Sequence, residues 1–198
     1  MSFYTIHLVN LQCVRPSGIT RQVIEGALGP LIQQAGMTLN LVSVSVAGDC
    51  DISLSFNMDR RRFGAQFTGG VVLAEQSGAV LVGSILDLRV GGTRTSRDSF
   101  FEPVRSIFQN GEEAFARTVG NIAVHELGHA IGGLTHLREE RNYMYTGAFL
   151  RERASSWFTY DNLRQHWSAS RSFNSTQRQA LISAIRSREI RGLDVTPL

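Results

Sequence analysis

The sequence predicts an α+β fold: an upper lobe built on a twisted mixed β-sheet with two helices, and a small irregular lower lobe ending in a C-terminal helix, with a cleft between them. Three observations predict it. Five short runs between residues 3 and 88 alternate or concentrate β-forming residues. Two longer stretches, one over residues 20–35 and one from about residue 110 to the Gly132-Gly133 pair, carry apolar stripes at helical spacing. Beyond residue 136 the chain turns polar and aromatic until a last helical stripe. At 198 residues it suits one domain, 1–198, with an upper part of about 1–133 and a lower part of about 134–198.

Residues 3–10 read as the first strand. The helix over 20–35 has Thr20 as a candidate N-cap and places Val23, Ile24, Ala27, Leu28, Leu31 and Ile32 on one stripe. Gly29-Pro30 is expected to kink or divide it, because proline lacks the backbone N–H. Residues 37–46 form the second strand, with Leu39, Leu41, Val42, Val44 and Val46 supplying β-formers, and residues 51–56 alternate as the third. Residues 69–75 and 78–88 suggest two more, with Gly69-Gly70 and Gln76-Ser77-Gly78 as turns. Residues 90–110 read as a loop. A helix then begins near Asn110; Glu113 follows three residues later as in a capping box, and Glu112 and Glu113 suit the positive end of a helix. Its stripe of Phe115, Val119, Ile122, Ala123 and Leu127 runs into a histidine motif. Residues 137–172 show little periodicity, and a final helix begins near Asn174 or Ser175 with Leu181, Ile182 and Ile185 on its buried face.

The formal net charge is +3, and all twenty basic residues are arginine. Arg60-Arg61-Arg62 is the one tight basic cluster and reads as a solvated turn, so a nucleic-acid partner is not expected. No apolar run approaches the roughly 20 residues of a membrane helix. The first ten residues carry no basic leader or apolar core of a signal peptide; the location is left open between cytoplasmic and exported by a leaderless route. Cys13 and Cys50 are too few for a disulfide framework; reduced thiols are the favoured reading, and a single bridge stays open. A monomer is expected.

The chemistry concentrates in His125-Glu126-Leu127-Gly128-His129, followed by His136. Residues four apart on a helix share a face, so His125 and His129 can aim at one ion. Neutral imidazole is a good ligand for Zn²⁺, and three protein ligands leave a fourth position for water, as in catalytic sites. Glu126, rotated off the ligand line, can serve as the base for that water. His136 lies eleven residues after His125; on an unbroken helix it would sit about 16 Å further along, so the chain must turn back. Gly132-Gly133 supplies the means, with either glycine as the turning residue. In a rival arrangement an acid, Glu139, Glu140 or Asp161, is the third ligand. A zinc-containing binding module without hydrolysis is a second rival, but binding alone does not require Glu126.

His125 to His136 resembles the HExxHxxGxxH signature of the metzincin metallopeptidases, with one extra residue between the second and third histidines. Asn142-Tyr143-Met144-Tyr145 resembles the Met-turn of that clan, and its spacing from His136 is similar to that of matrixins. Residues 51–56 resemble the matrixin third strand, and residues from Asn174 onward their C-terminal helix. The resemblance implies a metzincin-like zincin fold and a zinc-dependent endopeptidase with one catalytic Zn²⁺ held by His125, His129 and His136. It implies Glu126 as general base and Met144 as a hydrophobic floor that does not ligate. Gly132, Gly133 and Tyr145 support the site, and Tyr145 or Tyr160 could face the oxyanion. A peptide or protein substrate is expected to lie extended in the cleft, antiparallel to an edge strand within residues 69–88. His7 and His166 read as structural or surface histidines.

Overall fold

The computed structural model describes residues 2–46, 48–57, 70–74, 77–81, 108, 111–145 and 160–188. Five strands, β1 (Ser2–Val9), β2 (Met37–Val44), β3 (Ile52–Asn57), β4 (Gly70–Ala74) and β5 (Ser77–Leu81), form one sheet in the order β2-β1-β3-β5-β4. β1 runs parallel to β2 and β3, β3 runs parallel to β5, and β4 returns antiparallel to β5. The sheet is therefore mixed, with β2 and β4 at its edges among the described strands. The described helices are α1 (Ser17–Gln34), α2 (Glu112–Gly132), α3 (Tyr160–Ser168) and α4 (Ser175–Ser187). Parallel pairing of β1 with β2 needs a crossover, and α1 is that crossover.

Alternation decides which face of the sheet is inside. Tyr4, Ile6 and Leu8 of β1 and Ile52, Leu54 and Phe56 of β3 are buried. They meet Ile24, Leu28 and Ile32 of α1 and Val119, Ala123 and Leu127 of α2 in one core, which also takes in Leu181 and Ile185 of α4. α1 packs on β2 and on α2, whereas α2 packs on β4 and β5. The helix bearing the histidines thus lies along the half of the sheet that ends in the β4 edge.

Two expectations about α1 change. The helix starts at Ser17, not at residue 20, so Thr20 is no cap; it is buried inside the helix, and its Oγ1 donates to the Ala116 carbonyl of α2 at 2.8 Å. Pro30 does not divide the helix, which continues to Gln34. Pro30 and Gly26, whose carbonyl loses its partner, both lie on the exposed face, where water can take up that carbonyl. At the start of α2, Glu112 and Glu113 occupy the first turn as expected, with Gly111 at the N-cap. Asn110, the Arg60–Arg62 cluster, nearly all of the 90–110 loop and residues 82–88 lie outside the described residues.

The stretch 137–172 contains a helix that the sequence reading misses, α3. It has one pair of buried apolar residues at i, i+4, Leu163 and Trp167, too little to show a period. Its end is satisfied from outside: Asn121 of α2 donates to the carbonyls of Trp167 and Ala169, both at 2.9 Å. α4 begins with a capping box in which the Asn174 side chain accepts from Gln177 N–H and the Gln177 side chain accepts from Asn174 N–H, each at 3.0 Å. Past its other end, Arg188 pairs with Asp51 and donates to the Phe3 carbonyl, and Asp51 accepts from Thr5 N–H at 2.7 Å. No helix among the described residues is long and apolar enough to cross a membrane.

The α1–α2 contact depends on Gly120. A Cβ there would stand 2.7 Å from the Cβ of Val23. Gly120→Ala is expected to destabilise the protein by about 1–3 kcal/mol through overpacking. Val23→Ala added to it keeps the Cβ but removes the two γ carbons that would stand at 3.0 and 3.2 Å, and should recover part of that loss. Denaturant melts of the single and double variants check this, and simple additivity would show that the two residues do not share a contact.

Candidate metal centre

α2 sets two of the three histidines one turn apart on a helix that is buried along most of its second half. The helix runs to Gly132, and Gly133 takes the left-handed conformation (φ 59, ψ 30) that turns the chain, so of the two glycines it is Gly133 that turns. Gly133 N–H donates to the His129 carbonyl at 2.9 Å and Leu134 N–H to the Gly128 carbonyl at 3.3 Å, which satisfies carbonyls of the last turn. The reversal returns His136 to the other two rings. Nε2 of His125 lies 3.0 Å from Nε2 of His129, and Nε2 of His136 lies 3.2 Å from each.

The opposite ring nitrogens fix what two of those three atoms are, those of His125 and His129. Nδ1 of His125 donates to the Tyr143 carbonyl at 2.8 Å, and Nδ1 of His129 to the Leu134 carbonyl at 2.5 Å. A carbonyl only accepts, so both protons sit on Nδ1 and both Nε2 atoms present lone pairs. Two lone pairs 3.0 Å apart repel unless a cation lies between them. Burial acts in the same direction. It holds His125 well below the usual imidazole range, helped by the neighbouring His129, pushes His129 down to about 4, and lowers His136. The rings are therefore neutral, the state in which imidazole binds metals. Three ligands bound tetrahedrally at roughly 2.0–2.1 Å stand about 3.3 Å apart, close to the separations found here. The donor set fits a borderline transition metal such as Zn²⁺.

Glu126 follows His125 on α2 and is buried; burial alone lifts its carboxyl to about 8. A dication alongside would act in the opposite sense and favour the carboxylate.

Met144 is fully buried and lies against α2 because residue 128 is glycine: a Cβ there would meet Met144 Sδ at 2.8 Å and Phe173 Cε1 at 3.3 Å. Gly132 has a similar role, since a Cβ would meet Leu181 at 2.9 Å and Leu134 at 3.0 Å. Tyr145 is buried with its ring edge-on to His166 and 5.8 Å below the Arg171 guanidinium. Tyr160 begins α3. His7 accepts from Gly48 N–H at 3.2 Å on β1, and Cys13 and Cys50 are both free thiols.

Among the described residues, the group able to hold a metal is His125, His129 and His136. Two of the candidate acidic ligands are engaged elsewhere: Glu139 Oε2 accepts from Asn142 at 3.2 Å, and Asp161, largely exposed, faces Arg164 at 3.8 Å. The sequence reading assigned no role to Gly128, Asn121 or Arg171. A glycine between two motif histidines is the one sign that something must approach the helix there.

No family model and no curated protein sequence matches the chain. Among solved structures, it is similar to the crystal structure of a zinc-dependent peptidase from Methanocorpusculum labreanum (strain Z), with 12% identity and a TM-score of 0.47, covering 91% of this chain and 100% of that one. The assignment of chemistry therefore rests on the residues themselves.

The left-handed turn gives a direct test. Gly133→Ala is expected to cost about 1–2 kcal/mol, because a Cβ is strained at positive φ. Gly133→Asn should cost less. Thermal melts of metal-free protein compare the three, and an alanine variant as stable as wild type would show that residue 133 does not need this conformation.

Proposed function

We propose that the chain is a zinc-dependent endopeptidase with the metzincin-like build that the motif suggests, acting as a single monomeric catalytic domain. The observation that carries this reading is the convergence of three imidazole nitrogens, with a buried glutamate next to His125 in the sequence of α2. A site made only to store an ion would gain nothing from a carboxylate buried at a desolvation cost.

His125, His129 and His136 would hold one Zn²⁺, which when bound lowers the pKa of its water and polarises a carbonyl. Glu126 accepts the proton that the attacking water loses and delivers it to the leaving amine nitrogen. Its enclosed position keeps bulk water from competing for that proton. Met144 fills the space beneath the histidines without ligating, and Tyr145 lines the same turn. The substrate peptide lies extended and antiparallel to β4, the sheet edge within residues 69–88, using backbone hydrogen bonds as an added strand does. The residue after the scissile bond enters the space between α2 and the chain beyond Met144.

Protein prepared without added metal should contain or take up one zinc per chain, and a chelator should abolish its cleavage of unfolded protein. Glu126→Gln is expected to keep zinc and fold while turnover falls by about 10²–10⁴. His136→Ala should lose most zinc affinity, whereas Glu140→Ala and Asp161→Ala keep it. Full activity in metal-free protein, or in Glu126→Gln, would refute the mechanism.

A further inference from the structure

One buried polar side chain outside the histidines makes a dense set of the bonds that shape the site. Asn142 Oδ1 accepts from Met144 N–H at 2.8 Å, and Asn142 Nδ2 donates to Gln177 Oε1 at 2.9 Å and to Glu139 Oε2 at 3.2 Å. Its own N–H donates to the Glu139 carbonyl at 2.8 Å, and its carbonyl accepts from Tyr145 N–H and from Arg171 Nη1, each at 3.2 Å. Between the two ends of this set lies Tyr143, whose carbonyl orients His125.

We propose that Asn142 is a positioning residue for the metal centre: by closing the turn 142–145 on itself and pinning it to the first turn of α4, it holds the Tyr143 carbonyl against His125 Nδ1. This rests on the metal-binding reading above. Burial of Met144 fixes how deep the turn sits, but an apolar plug does not fix how a neighbouring peptide plane is rotated. The bond from Met144 N–H to Asn142 Oδ1 does fix it, since it spans the peptide units on both sides of Tyr143. Gln177 adds an anchor, because its Oε1 accepts from both Asn142 Nδ2 and Asn174 N–H, so the cap of α4 and the turn share one acceptor.

The residue type matters as much as the position. Aspartate could still accept from Met144 N–H, but it could not donate, and it would set a second carboxylate against Glu139 and an acceptor against Gln177. Leucine would fill the volume and make none of the bonds.

The test is zinc affinity of the full chain, read by competition with a chromogenic chelator, together with the visible spectrum of cobalt-substituted protein. Asn142→Ala is expected to weaken zinc binding by about 10–100-fold and to alter the cobalt spectrum, while circular dichroism of zinc-free protein stays that of wild type. Asn142→Asp should also weaken binding. Glu139→Gln added to it should recover part of the affinity, since the glutamine amide can donate to the new carboxylate; this pair decides the matter should the alanine variant not fold. Wild-type affinity and spectrum in Asn142→Ala, or equal affinity for Asn142→Asp with and without Glu139→Gln, would overturn the assignment. Wild-type protein that takes up no zinc would overturn the function proposed above, and this assignment with it.

Discussion

Three imidazole nitrogens within 3.0–3.2 Å of one another, two of them held as lone pairs by their far-side bonds, constitute the constraint around which the site is arranged. Such a cluster does not form through packing, because the rings repel until a cation joins them. It has to be imposed by bonds on the far sides of the rings. Two backbone carbonyls impose it, one from Leu134 just past the end of α2 and one from Tyr143 in the turn below. Each fixes a tautomer and a ring plane together, as the outer partners of metal-binding histidines generally do.

Both carbonyls come from irregular backbone, and this follows from helix geometry. A carbonyl inside a helix is already committed to an N–H four residues on, so it cannot also orient a side chain well. The chain must leave the helix to free an acceptor, and it must do so close to the histidines. Gly133 ends the helix four residues after His129 and frees the Leu134 carbonyl. The turn at 142–145 frees that of Tyr143. A cost follows, because irregular segments lack the repeating bonds that hold helices rigid. Here that rigidity is supplied by α4, whose capping box and Leu181 brace the turn and the helix end respectively.

The same distinction explains what could be read from the sequence. The strands, α2 and α4's hydrophobic face obey a period of two or 3.6, and the sequence places the start of each within a few residues; Ser77 and Gly78, expected in a turn, instead open β5, and residues 82–88 lie outside the described residues. The histidine motif was legible because its spacing encodes one face of one helix. His136 was legible only as a chain that must turn, and which glycine turned it was left open. α3 was not legible: nine residues with two buried apolar side chains carry no measurable period, and its end is completed by Asn121, forty-six residues before Trp167. Pro30 does not divide α1, for a related reason. Proline breaks a helix whose freed carbonyl would be buried, and nothing local in the sequence says that this one faces solvent. Thr20 looked like a cap because its true partner, the Ala116 carbonyl, belongs to another helix.

Those non-local bonds share a character. Thr20, Asn121, Asn142 and Gln177 are all buried and polar, and each bonds to a partner on a different element more than thirty residues away in sequence. Apolar side chains of similar volume would fill the same spaces without desolvation cost, so stability alone does not account for them. What a buried amide or hydroxyl adds is direction: left unpaired it is expensive, so only one relative placement of the two elements is tolerated. Apolar packing, by contrast, tolerates small slides and rotations. A site whose three ligands must meet within a few tenths of an ångström cannot tolerate them, and these four side chains brace α2, which carries two of the ligands, and the turn at 142–145, whose Tyr143 carbonyl orients one of them.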